Sequence, residues 1–115
     1  MKVAIIGSRT FNDYDKLVNF MTQFINWTQI SLIVSGGAKG ADALAEKYAD
    51  AFGIEKLIFP ADWEKYGKSA GMRRNQQIVN NAELVVACWD LSSKGTKDSI
   101  NKALKAGKPV MIVPA

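Results

Sequence analysis

Five short apolar runs rich in β-branched residues recur along the chain, at Val3 to Ile6, Leu32 to Val34, Leu57 to Phe59, Leu84 to Ala87 and Val110 to Val113. None alternates apolar with polar positions, as a strand with one wet face would, so each is predicted to be a strand covered on both faces. Between the runs the apolar residues take up a helical period. Leu17, Phe20, Met21, Phe24 and Ile25 fall at i, i+3, i+4, i+7 and i+8, and Ala41, Leu44, Ala45, Tyr48, Ala49 and Phe52 repeat that spacing. Each set predicts a helix with one apolar stripe. A third helix is predicted from about Gly71 to Ala82 and a fourth from about Thr96 to Ala106, with Gly53 and Gly107 placed to end the second and fourth.

Strands and helices therefore alternate as βαβαβαβαβ. Right-handed crossovers turn that alternation into a parallel sheet with helices on both faces, an α/β, Rossmann-like three-layer αβα fold with strand order 3-2-1-4-5. A chain of 115 residues suffices for one core, and it carries no internal repeat, low-complexity tract or boundary, so residues 1–115 are expected to form one domain.

The unusual residues follow the strands rather than precede them. Gly7-Ser8-Arg9-Thr10 comes after the first strand, Ser35-Gly36-Gly37-Ala38-Lys39-Gly40-Ala41-Asp42 after the second, Pro60-Ala61-Asp62-Trp63 after the third, and Trp89 through Thr96 after the fourth. All four loops are thereby predicted on one sheet edge, where ligands of open α/β sheets bind at the reversal of strand order.

The run Gly36 to Gly40 is a strand-to-helix glycine turn of the kind that lets backbone N–H groups approach phosphate oxygens at a helix start. A tight turn with close helix packing is the plain alternative. The run lacks the Gly-Lys-Ser/Thr of a P-loop, and it is not the dinucleotide fingerprint, which would follow the first strand. Ser93, Gly95 and Thr96 open the fourth helix in the same manner, with Thr96 read as its N-cap. Together the two loops are expected to form the phosphate subsite.

Ser8 and Arg9 add donors beside the first strand, with Gly7 at its end, and Lys39, Asp42, Arg74 and Asn75 complete the polar set. The third loop, Pro60 to Ala70, is long for an α/β connection, as functional loops often are. It carries Asp62 and Trp63. Trp63 and Trp89 are candidates to stack on a base, although packing explains most tryptophans. Arg73 and Arg74 near a helix start oppose its dipole, a cost that a bound anion would offset.

Composition narrows the chemistry. The chain has no histidine, which removes Ser-His and Cys-His catalysis and the commonest transition-metal ligand, and its lone Cys88 lies inside an apolar run and reads as core. No metal or cofactor is expected. The formal net charge of +4 favours anionic partners. The amino-terminal apolar run is too short for a signal peptide or a membrane span, which implies a cytoplasmic setting and no membrane partner. A homo-oligomer is left open.

Gly7-Ser8-Arg9, Ser35 to Asp42, Pro60 to Trp63, Ala70-Gly71-Met72-Arg73-Arg74-Asn75 and Ser93 to Asp98 together resemble the SLOG superfamily, and within it the small YspA/YpsA-related proteins of bacteria and phages. The resemblance implies a module that binds or senses a nucleotide or nucleotide-derived ligand, and it extends to the LOG phosphoribohydrolases and to DprA/Smf proteins. A nucleotide N-glycosidase is the rival reading. LOG enzymes place an Arg after a Met near the third helix, a role open to Arg73 or Arg74, and a Glu three residues after a Gly-Thr pair. That Glu position is Ser99 here. Asp98 is one residue away, about 100 degrees round a helix, and is expected to face elsewhere. Arg73, Arg74 and Asp98 remain the catalytic candidates by resemblance, with Asp42, Asp62 and Asp90 as further carboxylates. The DprA kinship raises single-stranded DNA binding as a third reading. Basic residues scattered along the chain, with no extended groove in prospect, count against nucleic acid as a partner.

Overall fold

The computed structural model describes residues 1–114. The elements run β1 (Lys2–Gly7), α1 (Tyr14–Phe24), β2 (Leu32–Ser35), α2 (Ala41–Phe52), β3 (Glu55–Ile58), α3 (Trp63–Tyr66), α4 (Ala70–Asn80), β4 (Leu84–Trp89), α5 (Lys94–Lys105) and β5 (Val110–Pro114). The strands form one parallel sheet in the order β3-β2-β1-β4-β5. The chain thus has the α/β Rossmann-like fold that its periodicity predicts.

Successive side chains of a strand point to opposite faces, and both faces here are covered. Val3 and Ile5 of β1 join Leu84, Val86 and Cys88 of β4 in a core shared with α1 and α2. Ala4 and Ile6 join Val85 and Ala87 in a second core under α4 and α5. This two-sided burial is why the strands read as unbroken apolar runs. Each large aliphatic side chain so buried contributes about 1.5 to 3 kcal/mol.

The helices follow their stripes with three departures. In α1, Leu17 and Met21 are fully buried, but Phe24 is half exposed and lies against Phe20 instead, with ring centroids 4.8 Å apart. The predicted loop from Pro60 to Ala70 contains the single turn of α3 and a 3-10 turn at Gly67–Ser69. Asp62 caps α3 by accepting from the Lys65 N–H at 3.0 Å, and Gly67 at φ 56 ends it. Gly53, at φ 66, ends α2 as predicted. The start of α5 differs: it begins at Lys94, and the cap is Ser93, whose Oγ accepts from the Thr96 N–H. Thr96 is therefore a first-turn residue and not the cap. Among the described residues, no helix is long and apolar enough to cross a membrane.

One glycine fixes how the β1 and β2 loops meet. Gly40 has φ 72 and ψ −127, a region open essentially to glycine, and a Cβ there would come within 2.4 Å of the carbonyl oxygens of Ser8 and Arg9. At Gly53 the same addition meets nothing within 4 Å. Gly53→Ala should therefore cost about 1 to 2 kcal/mol, the left-handed penalty alone. Gly40→Ala should cost distinctly more. Urea denaturation of the two variants, compared at equal slope, measures the difference. Equal losses would mean that the Gly40 contact is not a constraint.

Candidate functional site

At the carboxyl ends of β1 and β4, where the strand order reverses, the loops part around a cavity of about 420 Å³. Gly7, Ser8, Arg9, Asp42, Arg74, Asn75, Asp90, Ser93, Gly95, Thr96 and Ser99 all line it. A second cavity of about 500 Å³ adjoins it through Arg9, Ala38 and Arg74, and is bounded by Gly36, Gly37, Lys39, Pro60 and Trp63. Both lie within the size range of small-molecule sites.

The walls are held by backbone contacts. Ser8 donates its N–H to the Cys88 carbonyl at 2.9 Å, and its hydroxyl accepts from the Asp90 N–H at 3.2 Å, which ties the β1 loop to the β4 loop. A Cβ on Gly7 would lie 2.2 Å from the Cys88 carbonyl oxygen and 2.8 Å from the Ala41 Cβ, so both neighbours depend on its having none. Asp90 folds its own loop by accepting from the N–H groups of Ser92 and Ser93 at 2.9 and 2.8 Å. Between them Leu91 is held at φ 68, a costly conformation for a leucine. The Asp90 carboxyl lies below the usual range because first Ser92 and then Ser93 donate to it.

Arg74 reaches across from α4. Its Nη1 donates to the Gly36 carbonyl at 3.0 Å and its Nε to Asn75 Oδ1 at 3.1 Å. Asn75 in turn donates from Nδ2 to the Gly95 carbonyl and to Asp98. A guanidinium carries five donors, so this anchoring leaves several free for a ligand. A Cβ on Gly36 would displace the Arg74 guanidinium, since it would lie 2.3 Å from Nη1.

Asp42, in the first turn of α2, is buried. Its Oδ2 accepts from the Ala38 N–H at 3.2 Å, and its Oδ1 lies 3.1 Å from Ser35 Oγ. Burial pushes its carboxyl above the usual range, against the opposing pull of the Ala38 N–H, Ser35 and Arg74. The glycine loop is thus partly satisfied from within: its Ala38 N–H is turned to Asp42, and the Ala41 N–H to the Ser8 carbonyl at 3.2 Å. The opening turn of α5 differs. Ser93 takes the Thr96 and Lys97 N–H groups, leaving those of Lys94 and Gly95 without a carbonyl one turn back in the helix.

Several anticipated residues stand apart from the main cavity. Arg73 lies over the Tyr66 ring, 4.4 Å from its centroid, with Nε donating to Ser69, and it lines a third cavity of about 260 Å³ together with Asp62 and Lys65. Asp62 is spent as the cap of α3. Asp98 is bonded to Lys102 and Asn75, while Ser99, one residue on, faces the cavity almost fully buried. The helix turn thus directs Asp98 away from the main cavity, as expected from the 100-degree step, and the Tyr66 contact holds Arg73 beside the third cavity. Trp89 donates from Nε1 to the Ser93 carbonyl and packs on the second core, which makes it a support of the loop rather than a base platform. Trp63 is 55% exposed on the rim of the second cavity. Burial pushes the Cys88 thiol up to about 12, in keeping with core packing. The sequence places Thr10 and Ser35 in the ligand-edge loops without a role; Thr10 lines the main cavity and Ser35 lies against Asp42. Ser35 carried a signal, as the one polar residue closing an apolar strand at the ligand edge.

A family model described as the YspA, cpYpsA-related SLOG family matches residues 1–66. The Gene 61 protein of Mycobacterium phage D29 is 33% identical over 117 residues, covering 96% of this chain and 94% of that one. The fold is shared with DNA processing protein A, DprA, of Streptococcus pneumoniae, with a TM-score of 0.71 and 21% identity over 99% of this chain and 50% of that one. It is shared too with DprA of Helicobacter pylori, with a TM-score of 0.63 and 23% identity over the whole of this chain and 66% of that one. The chain thus spans half of one DprA structure and about two thirds of the other. The H. pylori structure is described by its single-stranded DNA binding mode. Counting nucleic acid out on scattered basic residues is corrected by this, since a protein of the same fold binds single-stranded DNA. Linear scatter misled because the fold gathers Arg9, Lys39 and Arg74 at one edge, with Arg73 and Lys65 beside them.

The raised Asp42 carboxyl has a consequence for stability. A group whose folded pKa exceeds its unfolded value contributes stability that is present below the unfolded pKa and is lost as pH rises through the folded one. Asp42→Asn keeps the shape and both hydrogen-bonding edges without the charge. Its stability relative to wild type should therefore grow as pH rises out of the ordinary carboxylate range, and then level off. Denaturation midpoints across that range check it; a constant difference would mean that burial does not disfavour the ionised carboxyl.

Proposed function

The chain belongs to the YspA, cpYpsA-related SLOG family, and on that premise we propose that it binds a nucleotide or nucleotide-derived ligand at the crevice between the β1 and β4 loops. One observation carries the reading: Arg9, Arg74, the hydroxyls of Ser8 and Thr96, and the open start of α5 converge on a single cavity. Backbone N–H groups at a helix start and an anchored guanidinium suit a phosphate. The adjoining cavity, with Lys39 and the exposed face of Trp63, is where the base or sugar would extend. Gly7, Gly36, Gly37 and Gly40 serve by shaping the walls, and Asn75 and Ser93 by holding them.

A single-stranded nucleic acid is the second reading, favoured by the fold shared with DprA and by the sequence of cavities. Arg74 lines all three, and the third adds Lys65, Arg73 and Tyr66. Such a run of cations and aromatic rings suits a strand of several nucleotides.

Gly95→Asp tests the phosphate subsite without harm to the fold, since a Cβ there meets nothing within 4 Å. A carboxylate in the first turn of a helix is stabilising by about 0.3 to 1 kcal/mol, yet it would sit where the phosphate is placed. Wild-type protein should be stabilised by about 2.7 kcal/mol in the presence of a nucleotide at one hundred times its Kd. The variant should be no less stable alone and should lose that response, and added salt should weaken binding to the wild type. Undiminished binding by Gly95→Asp would displace the phosphate from α5. Gly37→Val would be a poorer probe, because φ 73 and the Ile58 side chain 2.9 Å from a Cβ would strain the fold itself. Titration with oligothymidylates of increasing length separates the two readings: affinity that climbs with length selects the strand, and affinity equal to that of a mononucleotide selects the small ligand.

A further inference from the structure

Two cations and two carboxylates line the main cavity: Arg9 and Arg74 against Asp42 and Asp90. With all four ionised, their formal charges cancel, and an incoming anion would meet two carboxylates in a confined space. One proton would shift the balance to net positive. The two carboxylates differ in how well they can take it. Asp90 is solvent-facing and receives two backbone N–H groups, which hold its charge. Asp42 is buried, and its hydrogen bonding is incomplete in the ionised form.

The Ser35 hydroxyl shows this incompleteness. It has one hydrogen and two oxygen neighbours, the Ile5 carbonyl at 2.8 Å and Asp42 Oδ1 at 3.1 Å. If both neighbours are acceptors, the single hydrogen can serve only one fully, and the shorter distance assigns it to Ile5. A proton on Asp42 Oδ1 completes the chain: Asp42 donates to Ser35, Ser35 donates to Ile5, and Asp42 Oδ2 still accepts from Ala38. We propose that an anion entering this cavity is bound together with a proton from solvent, held by Asp42 as a neutral carboxylic acid that donates to Ser35. The inference rests on the anion site proposed above.

The charged and titratable surroundings of Asp42 are consistent with that role. Arg74 from α4 favours the ionised form, whereas Glu46, one turn further along α2, favours the neutral one. The Cys88 thiol of β4 is itself uncharged near neutrality. Arg9 and Lys39 sit on the flanking loops, and Asp90 faces the same cavity. An anion bound to Arg74 would neutralise the group that most directly stabilises the Asp42 charge by its own. Anion and proton therefore promote each other's binding, as linkage requires.

Sulfate is the probe, because it keeps both of its charges across the range titrated. In the wild type, the Asp42 carboxyl carbon followed by NMR should titrate above the ordinary aspartate range, and saturating sulfate should move that titration higher. Between the two midpoints the apparent Kd for sulfate should rise by up to about tenfold per pH unit. Asp42→Asn, a permanent neutral mimic, should bind sulfate as tightly as the protonated wild type with no such dependence. An ordinary or sulfate-insensitive Asp42 titration overturns the proposal with no variant involved. Sulfate binding that is identical in wild type and Asp42→Asn at every pH overturns it while leaving the anion site standing. Sulfate that fails to bind at any pH removes the anion site, and the coupling with it.

Discussion

Gly40 lies with its backbone against the carbonyl oxygens of Ser8 and Arg9, closer than any side chain would allow, and the Ala41 N–H closes the contact on the Ser8 carbonyl. Much of the site depends on that approach. It seats the start of α2 beside the β1 loop, which brings Asp42 under the cavity floor. It also leaves Ser8 positioned to hold the β4 loop through Asp90. Gly7 supports the same junction from the β1 side, where its missing Cβ admits Ala41. Three loops from three strands are thus fixed to one another, by main-chain contacts at Gly7, Gly40 and Ala41 and by the Ser8 hydroxyl, and the side chains that face the cavity inherit their positions from that frame.

The cavity so formed holds charges of both signs. Arg9 and Arg74 line it, yet a buried and an exposed carboxylate stand among them. The exposed one folds its own loop. The buried one costs the fold in its ionised form, since burial outweighs the hydrogen bonds it receives. Asp42 is thus the cavity carboxylate that the core would prefer neutral.

Membership of the YspA, cpYpsA-related SLOG family and the fold shared with DprA set the frame for function without naming a ligand. The same edge of the sheet offers a compact pocket and, through Arg74, a path into two further cavities. A small nucleotide and a strand make different demands on that path. The first needs the pocket by the start of α5. The second needs the full run to Tyr66.

The order of strands and the edge on which the main cavity opens were legible in the sequence, because both follow from local patterns: unbroken apolar runs, helical stripes, and polar glycine-rich loops that come after strands. Gly53 could be read as a helix terminus for the same local reason. The roles of individual side chains could not. Asp98 and Ser99 are the exception, since the helical step by itself implied that they part, one to Lys102 and the other into the cavity. Arg73 and Arg74 also part, one to the Tyr66 ring and the other to Gly36. The start of α5 fell to Ser93 rather than Thr96 because the Asp90 turn places Ser93 to cap it. The gathering of dispersed cations on one edge, which restored nucleic acid as a candidate, exists only after the crossovers are made. Periodicity records which face of an element is buried, whereas the partner of each polar atom is chosen by segments distant in sequence, and only their packing decides it.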